Sequence, residues 1–147
     1  MKVLVMIKGD GADEGKIAPN DEMFAVMNAY NEQLVNAGIM LGGEGLKPSS
    51  AGVKVVFAAE GGTSVVDGPF TEAKEIIAGY WIWQVSSLDE ALEWAKRCPS
   101  DPKYGASQAL EIRPLYEMED FEHLMTDEHK DRYEQLHGEV ERQHGGA

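Results

Sequence analysis

The segment Tyr80-Trp81-Ile82-Trp83-Gln84-Val85 constrains the fold more than any other stretch of this chain. Read as a strand, its two-residue period puts Trp81, Trp83 and Val85 on one face and Tyr80 and Ile82 on the other. Large apolar side chains on both faces require two covers, because a soluble monomer rarely leaves so wide an apolar patch in water. The N-terminal run Val3-Leu4-Val5-Met6-Ile7 has the same character and reads as a central strand covered on both sides.

The elements around these strands follow from local chemistry. Pro19-Asn20-Asp21 starts a helix, and Met23, Met27, Tyr30, Leu34 and Ala37 recur at helical spacing before Gly38 closes it. Ile39 to Leu46 is Gly-rich and extended, and Pro48 to Gly52 is a turn. Val53 to Phe57 and Thr63 to Val66 flank Glu60-Gly61-Gly62 as a β-hairpin. After the strand Ile76 to Ser86, Ser87-Leu88-Asp89-Glu90 forms a capping-box pattern in which Ser87 accepts from the Glu90 N–H and the Glu90 carboxylate reaches back. The helix it starts carries Leu88, Ala91, Leu92, Ala95 and Cys98 as one apolar stripe and ends at Pro99 and Pro102. Gln108 to Tyr116 supplies the last strand.

Strand, helix, strand, hairpin insertion, strand, helix, strand is the split βαβ order of a ferredoxin-like α+β domain. Its two helices cover one side of the sheet, so the other side should meet a second sheet, most simply that of another copy across a two-fold axis. A homodimer is therefore expected, with a bound ligand or the C-terminal segment as the alternative cover.

With 147 residues and 43% hydrophobic content the chain can bury one core of ordinary size. We assign residues 1–116 to that domain and residues 117–147 to an acidic C-terminal helical extension, where Phe121, Met125, Tyr133, Leu136 and Val140 stand at helical spacing and Thr126 can cap a second segment. The formal net charge of −13 repels phosphate backbones and anionic headgroups, which argues against nucleic-acid and membrane partners. The apolar N-terminal run is too short for a signal or membrane segment, and the lone Cys98 fits a reducing compartment, so the cytoplasm is expected.

The most informative loop is Asp67-Gly68-Pro69-Phe70-Thr71-Glu72-Ala73-Lys74-Glu75, which joins the hairpin to the Trp-bearing strand. Asp67-Gly68-Pro69 is turn chemistry, and the charges clustered behind it can shift one another's pKa toward useful values. On a catalytic reading Asp67 is a general base or loop anchor and Glu44 a second acid. Lys74 or Arg113 is then a cation for an anionic substrate, and Pro69, Phe70 and Tyr80 belong to the ligand site. The competing reading makes these residues turn formers, surface charges and interface core. All four histidines lie in the acidic extension; Glu134 and His137 have a metal-site spacing, but the other helices offer no matching ligands, so no metal is expected. Cys98 reads as a small core residue. No Gly-rich phosphate loop or Ser-centred nucleophile motif is present, and no organic cofactor is expected.

The same loop resembles the DGPF signature of a branch of the YCII-related family, where it is followed by a Gly and an aromatic strand as in Gly79-Tyr80-Trp81. Gly43-Glu44-Gly45-Leu46 with Pro48, Asp89-Glu90-Ala91-Leu92-Glu93-Trp94-Ala95 and Glu111-Ile112-Arg113-Pro114 are similar to that family's other recurrent segments, in the same order, over roughly residues 1–116. The resemblance implies a dimeric α+β barrel, with two sheets face to face. It implies little about chemistry: members are mostly uncharacterised, and some stand beside or fused to extracytoplasmic-function sigma factors. Simpler members are credited with a His–Asp pair in a cleft, and Asn20 to Ala37 holds no histidine to match it. The function expected is a cofactor-free small-molecule enzyme using acid/base chemistry in a pocket near the DGPF loop; the alternatives are a non-catalytic ligand-binding or regulatory module, which the resemblance links to sigma-factor signalling, and a purely structural dimer with no site.

Overall fold

The computed structural model describes residues 1–11, 14, 19–70, 75–100 and 109–145, and these fall into two compact units, Met1–Leu115 and Tyr116–Ala147. The first contains β1 (Lys2–Asp10), α1 (Asp21–Asn36), β2 (Met40–Gly45), β3 (Val53–Phe57), β4 (Thr63–Asp67), β5 (Glu75–Gln84), α2 (Leu88–Ala95) and β6 (Ala109–Pro114). The main sheet runs β2-β5-β1-β6 with every neighbouring pair antiparallel, and β3 and β4 form a separate two-stranded sheet. This is an α+β fold in the ferredoxin-like order expected from the sequence, with the hairpin inserted between β2 and β5.

The pairing of β1 with β5 sorts the side chains. Val3 stands opposite Trp83 and Val5 opposite Trp81, while Leu4 meets Ile82 and Met6 meets Tyr80. Alternation sends the first set to one face and the second to the other, as the sequence period requires. Helices α1 and α2 cover the tryptophan face: Tyr30, Leu34 and Ala91 join Val3, Val5, Ile39, Trp81, Trp83 and Val85 in one buried cluster. A buried indole removes on the order of 200 Å² from water, which at roughly 25 cal/mol per Å² is about 5 kcal/mol of transfer free energy. Polar contacts orient the helices on this core. The Trp81 indole N–H donates to Asn31 Oδ1 on α1 at 2.9 Å, and the Tyr30 hydroxyl donates to the Trp94 carbonyl on α2 at 2.8 Å. The buried Trp83 indole N–H has no acceptor among the described residues.

Helix ends follow the expected chemistry, with two differences. Asn20 caps α1 by accepting from the Met23 N–H, and Gly38, at φ 71°, ends it in a Schellman arrangement, with Ile39 N–H to Leu34 O and Gly38 N–H to Val35 O. Ser87 caps α2 through the Glu90 N–H, but the Glu90 carboxylate accepts from the Ser86 hydroxyl and backbone N–H, both at 2.6 Å, instead of from Ser87. Those bonds hold the Glu90 carboxyl below its usual range. Helix α2 also stops at Ala95, before the prolines, so Cys98 follows in a turn with its N–H on the Ala95 carbonyl.

The second unit holds α3 (Met118–Phe121), a 3₁₀ turn at Glu122–Leu124 and α4 (Asp127–His144), which Thr126 caps through the His129 N–H. Tyr116 packs on Phe121 with ring centroids 4.6 Å apart. Along α4, Tyr133, Leu136 and Val140 are exposed. None of the described helices is long and apolar enough to cross a membrane.

Gly43 shows how tightly β2 meets the core. A Cβ there would lie 2.7 Å from Trp81 Cδ1 and 3.0 Å from the Tyr80 carbonyl, whereas a Cβ at Gly42 meets nothing within 4 Å. Gly43→Ala is expected to cost about 1–3 kcal/mol in urea unfolding through overpacking, with Gly42→Ala within about 0.5 kcal/mol of the wild type. Equal effects at the two positions would contradict the packing described.

Candidate functional site

The structure divides the expected site residues between two places. At the base of the hairpin, Asp67 is the exposed last residue of β4, opposite Val53. The Gly68 N–H donates to the Gly52 carbonyl at 2.9 Å, and the Phe70 N–H donates to Ser49 Oγ at 3.4 Å. A Cβ on Gly68 would lie 1.7 Å from the Ser49 carbonyl oxygen, so only glycine lets this loop approach the 3₁₀ turn at Ser49–Ala51. Gly68 and Pro69 are joined by a cis peptide bond. Phe70 is half-buried, with Lys54 Nζ 4.1 Å from its ring centroid, a cation–π contact. Glu14 holds the turn from the other side, accepting from the Ser49 backbone N–H at 2.5 Å and from its hydroxyl at 2.6 Å. Asp67, Pro69 and Phe70 thus belong to a loop tied down by backbone contacts. Lys74, expected as the partnering cation, and Glu72 lie outside the described residues.

Glu44, Tyr80 and Arg113 share the face of the main sheet opposite the tryptophans, with Glu44 and Arg113 on its two opposite edge strands. One row across the strands reads Glu44, Tyr80, Met6, Glu111, and the next reads Gly42, Ile82, Leu4, Arg113. The middle of this face is apolar and its edges are charged. Leu4, Tyr80 and Ile82 are half-buried and Met6 is buried, while Glu44, Glu111 and Arg113 are exposed. Neighbours across a row stand about 5 Å apart, so Glu44 lies beside the Tyr80 ring, whereas Asp67 sits at the end of the separate hairpin.

The site that sequence reasoning missed lies on the helix side. A pocket of about 320 Å³ opens between α2 and the β1–β6 edge, walled by Ile7, Leu92, Ala95, Leu110 and Ile112, with Cys98 in its lining. Ala95 and Ala109 are small residues in its lining. Among the described residues, Lys96 and Cys98 are the ionisable ones that line it. The Lys96 ammonium is turned to Glu93, 2.7 Å away on the exposed surface. Burial pushes the half-buried Cys98 thiol up to about 11. The neighbouring Tyr30 hydroxyl is raised as well, chiefly by burial.

A ferredoxin-like sheet with two helices on one face and an anchored hairpin defines a class of small α+β proteins. Within it the chain belongs to the YCII-related family, whose domain matches residues 1–119. It is 36% identical to an uncharacterised protein of Rhizobium meliloti (strain 1021) over 90 residues, which cover 60% of this chain and 69% of that relative.

The raised thiol has a consequence for stability. Between its ordinary value of 9.0 and about 11 the unfolded chain gives up the Cys98 proton and the folded chain keeps it. This contribution is therefore fully present below 9.0 and lost as pH rises through about 11. Tyr30, raised from 10.0, adds to the loss at the top of that range. Urea unfolding of Cys98→Ala is expected to depend less steeply on pH across this window than that of the wild type. Parallel slopes would place Cys98 in water.

Proposed function

We propose that this protein is a homodimeric, non-catalytic small-molecule-binding module of the DGPF branch of its family, and that its ligand occupies the pocket beneath α2. The pocket carries this reading: it is the kind of space that ligand sites use, concave and mostly apolar, at the small end of the usual size range. The acid/base reading rests on Asp67 and Glu44, which are exposed on separate elements, and on Lys74, which lies outside the described residues. An exposed carboxylate among backbone-anchoring residues is better explained as part of a turn than as a general base.

Two observations support the dimer. The Leu4–Met6–Tyr80–Ile82 side of the sheet lies away from α1 and α2. The hairpin exposes Val53, Val55, Phe57 and Val65 by 62%, 52%, 77% and 67%, and a lone two-stranded sheet is marginal in water. A second copy supplies a cover for apolar surface of this extent.

Native mass spectrometry of the protein as purified tests the binding reading. A bound small molecule is expected to be retained by wild type, Asp67→Asn and Glu44→Gln alike, and to be lost from Ala95→Trp, which fills the pocket. Loss on Asp67→Asn with retention in Ala95→Trp would return the site to the hairpin loop.

A further inference from the structure

The separate β3–β4 sheet presents a wide apolar surface to water, and the role assigned to it here rests on the homodimer proposed above. Every residue of both strands is exposed, whereas the face of the main sheet away from the helices has Met6 buried and Leu4, Tyr80 and Ile82 half-buried. The register gives the hairpin two unlike faces. One carries Val53, Val55, Phe57 and Val65, each more than half exposed. The other carries Val56 and Val66, at 45% and 44%, with Lys54 turned onto the Phe70 ring at the hairpin's own base. We infer that the hairpin is a docking arm whose Val53–Val55–Phe57–Val65 face packs on the same face of a second copy.

Size and charge both fit that occupant. At about 100 Å² for a valine side chain and 200 Å² for a phenylalanine, the face exposes on the order of 300 Å² of apolar surface. Homodimer contacts are roughly two-thirds apolar, so two such faces correspond to an interface of about 1,000 Å², the size at which specific association begins. Asp67 is the charged strand residue of this face and stands at its base, opposite Val53. A two-fold axis running across the strands sets each Asp67 over the Phe57–Thr63 end of the other copy and keeps the two carboxylates apart. The same axis passes the middle pair, Val55 and Val65, and brings each beside its own equivalent. The base of the arm is held by the Gly68 N–H on the Gly52 carbonyl, so little ordering is left to be done on association.

Two variants test the arm. Val55→Asp with Val65→Asp is expected to raise the dimer dissociation constant at least tenfold in sedimentation equilibrium, with unchanged circular dichroism. In a Cys98→Ala background, which removes the single cysteine of the chain, Val65→Cys is expected to cross-link with itself under diamide. Val35→Cys, equally exposed on α1, is the control and is expected to stay uncross-linked. If the aspartate variant associates as tightly as the wild type, the homodimer stands and the arm is wrong. Cross-linking of Val65→Cys no faster than the control would overturn the face-to-face packing. If the wild type itself sediments at the chain mass at every concentration, the homodimer and the arm both fall.

Discussion

The antiparallel pairing of β1 with β5 is the constraint on which the rest of the structure depends. Its register places Val3 against Trp83 and Val5 against Trp81 on one side, and Leu4 against Ile82 and Met6 against Tyr80 on the other. A slip by one residue would exchange the two sets and put both indoles on the face without helices. The fixed register gives α1 and α2 a surface to cover, and the Asn31–Trp81 and Tyr30–Trp94 hydrogen bonds then set where each helix lies. The end of α2 then meets Ile7, Leu110 and Ile112 around the pocket.

The Asp67–Phe70 segment and the pocket lie on different elements of the first unit. Asp67, Gly68, Pro69 and Phe70 join the hairpin to the 3₁₀ turn at Ser49–Ala51 through one close backbone approach and two hydrogen bonds, with Glu14 bracing the turn. These contacts make the segment an anchor. The pocket sets apolar side chains of α2, β1 and β6 beside the half-buried Cys98 thiol.

Much of the architecture was legible in the sequence because it is encoded locally. The two faces of Tyr80–Val85, the caps Asn20, Ser87 and Thr126, and the Gly38 stop depend on neighbours within a few residues. What escaped depends on contacts distant in sequence. Gly68 is required by Ser49 and Gly52, 19 and 16 positions away, and no local pattern signals that approach. The Ser87 pattern pointed to a reciprocal Glu90 contact, yet Ser86, with a hydroxyl as well as an N–H to donate, took the carboxylate. Cys98 read as a small core residue, and it does pack against the buried cluster; with α2 ending earlier than the stripe suggested, it also lines a pocket. Glu44, Tyr80 and Arg113 were chosen for their chemistry from three separate strands, and the sheet register puts them on one face.

We propose that the sheet, with large apolar side chains on both faces and helices on one, is completed by a second copy. Sedimentation equilibrium of the full chain over a range of concentrations tests this most directly, since it reads molar mass without assuming a shape. The account predicts a species of twice the 16.1 kDa chain mass, persisting on dilution through the micromolar range. A single species at the chain mass at every concentration would contradict it.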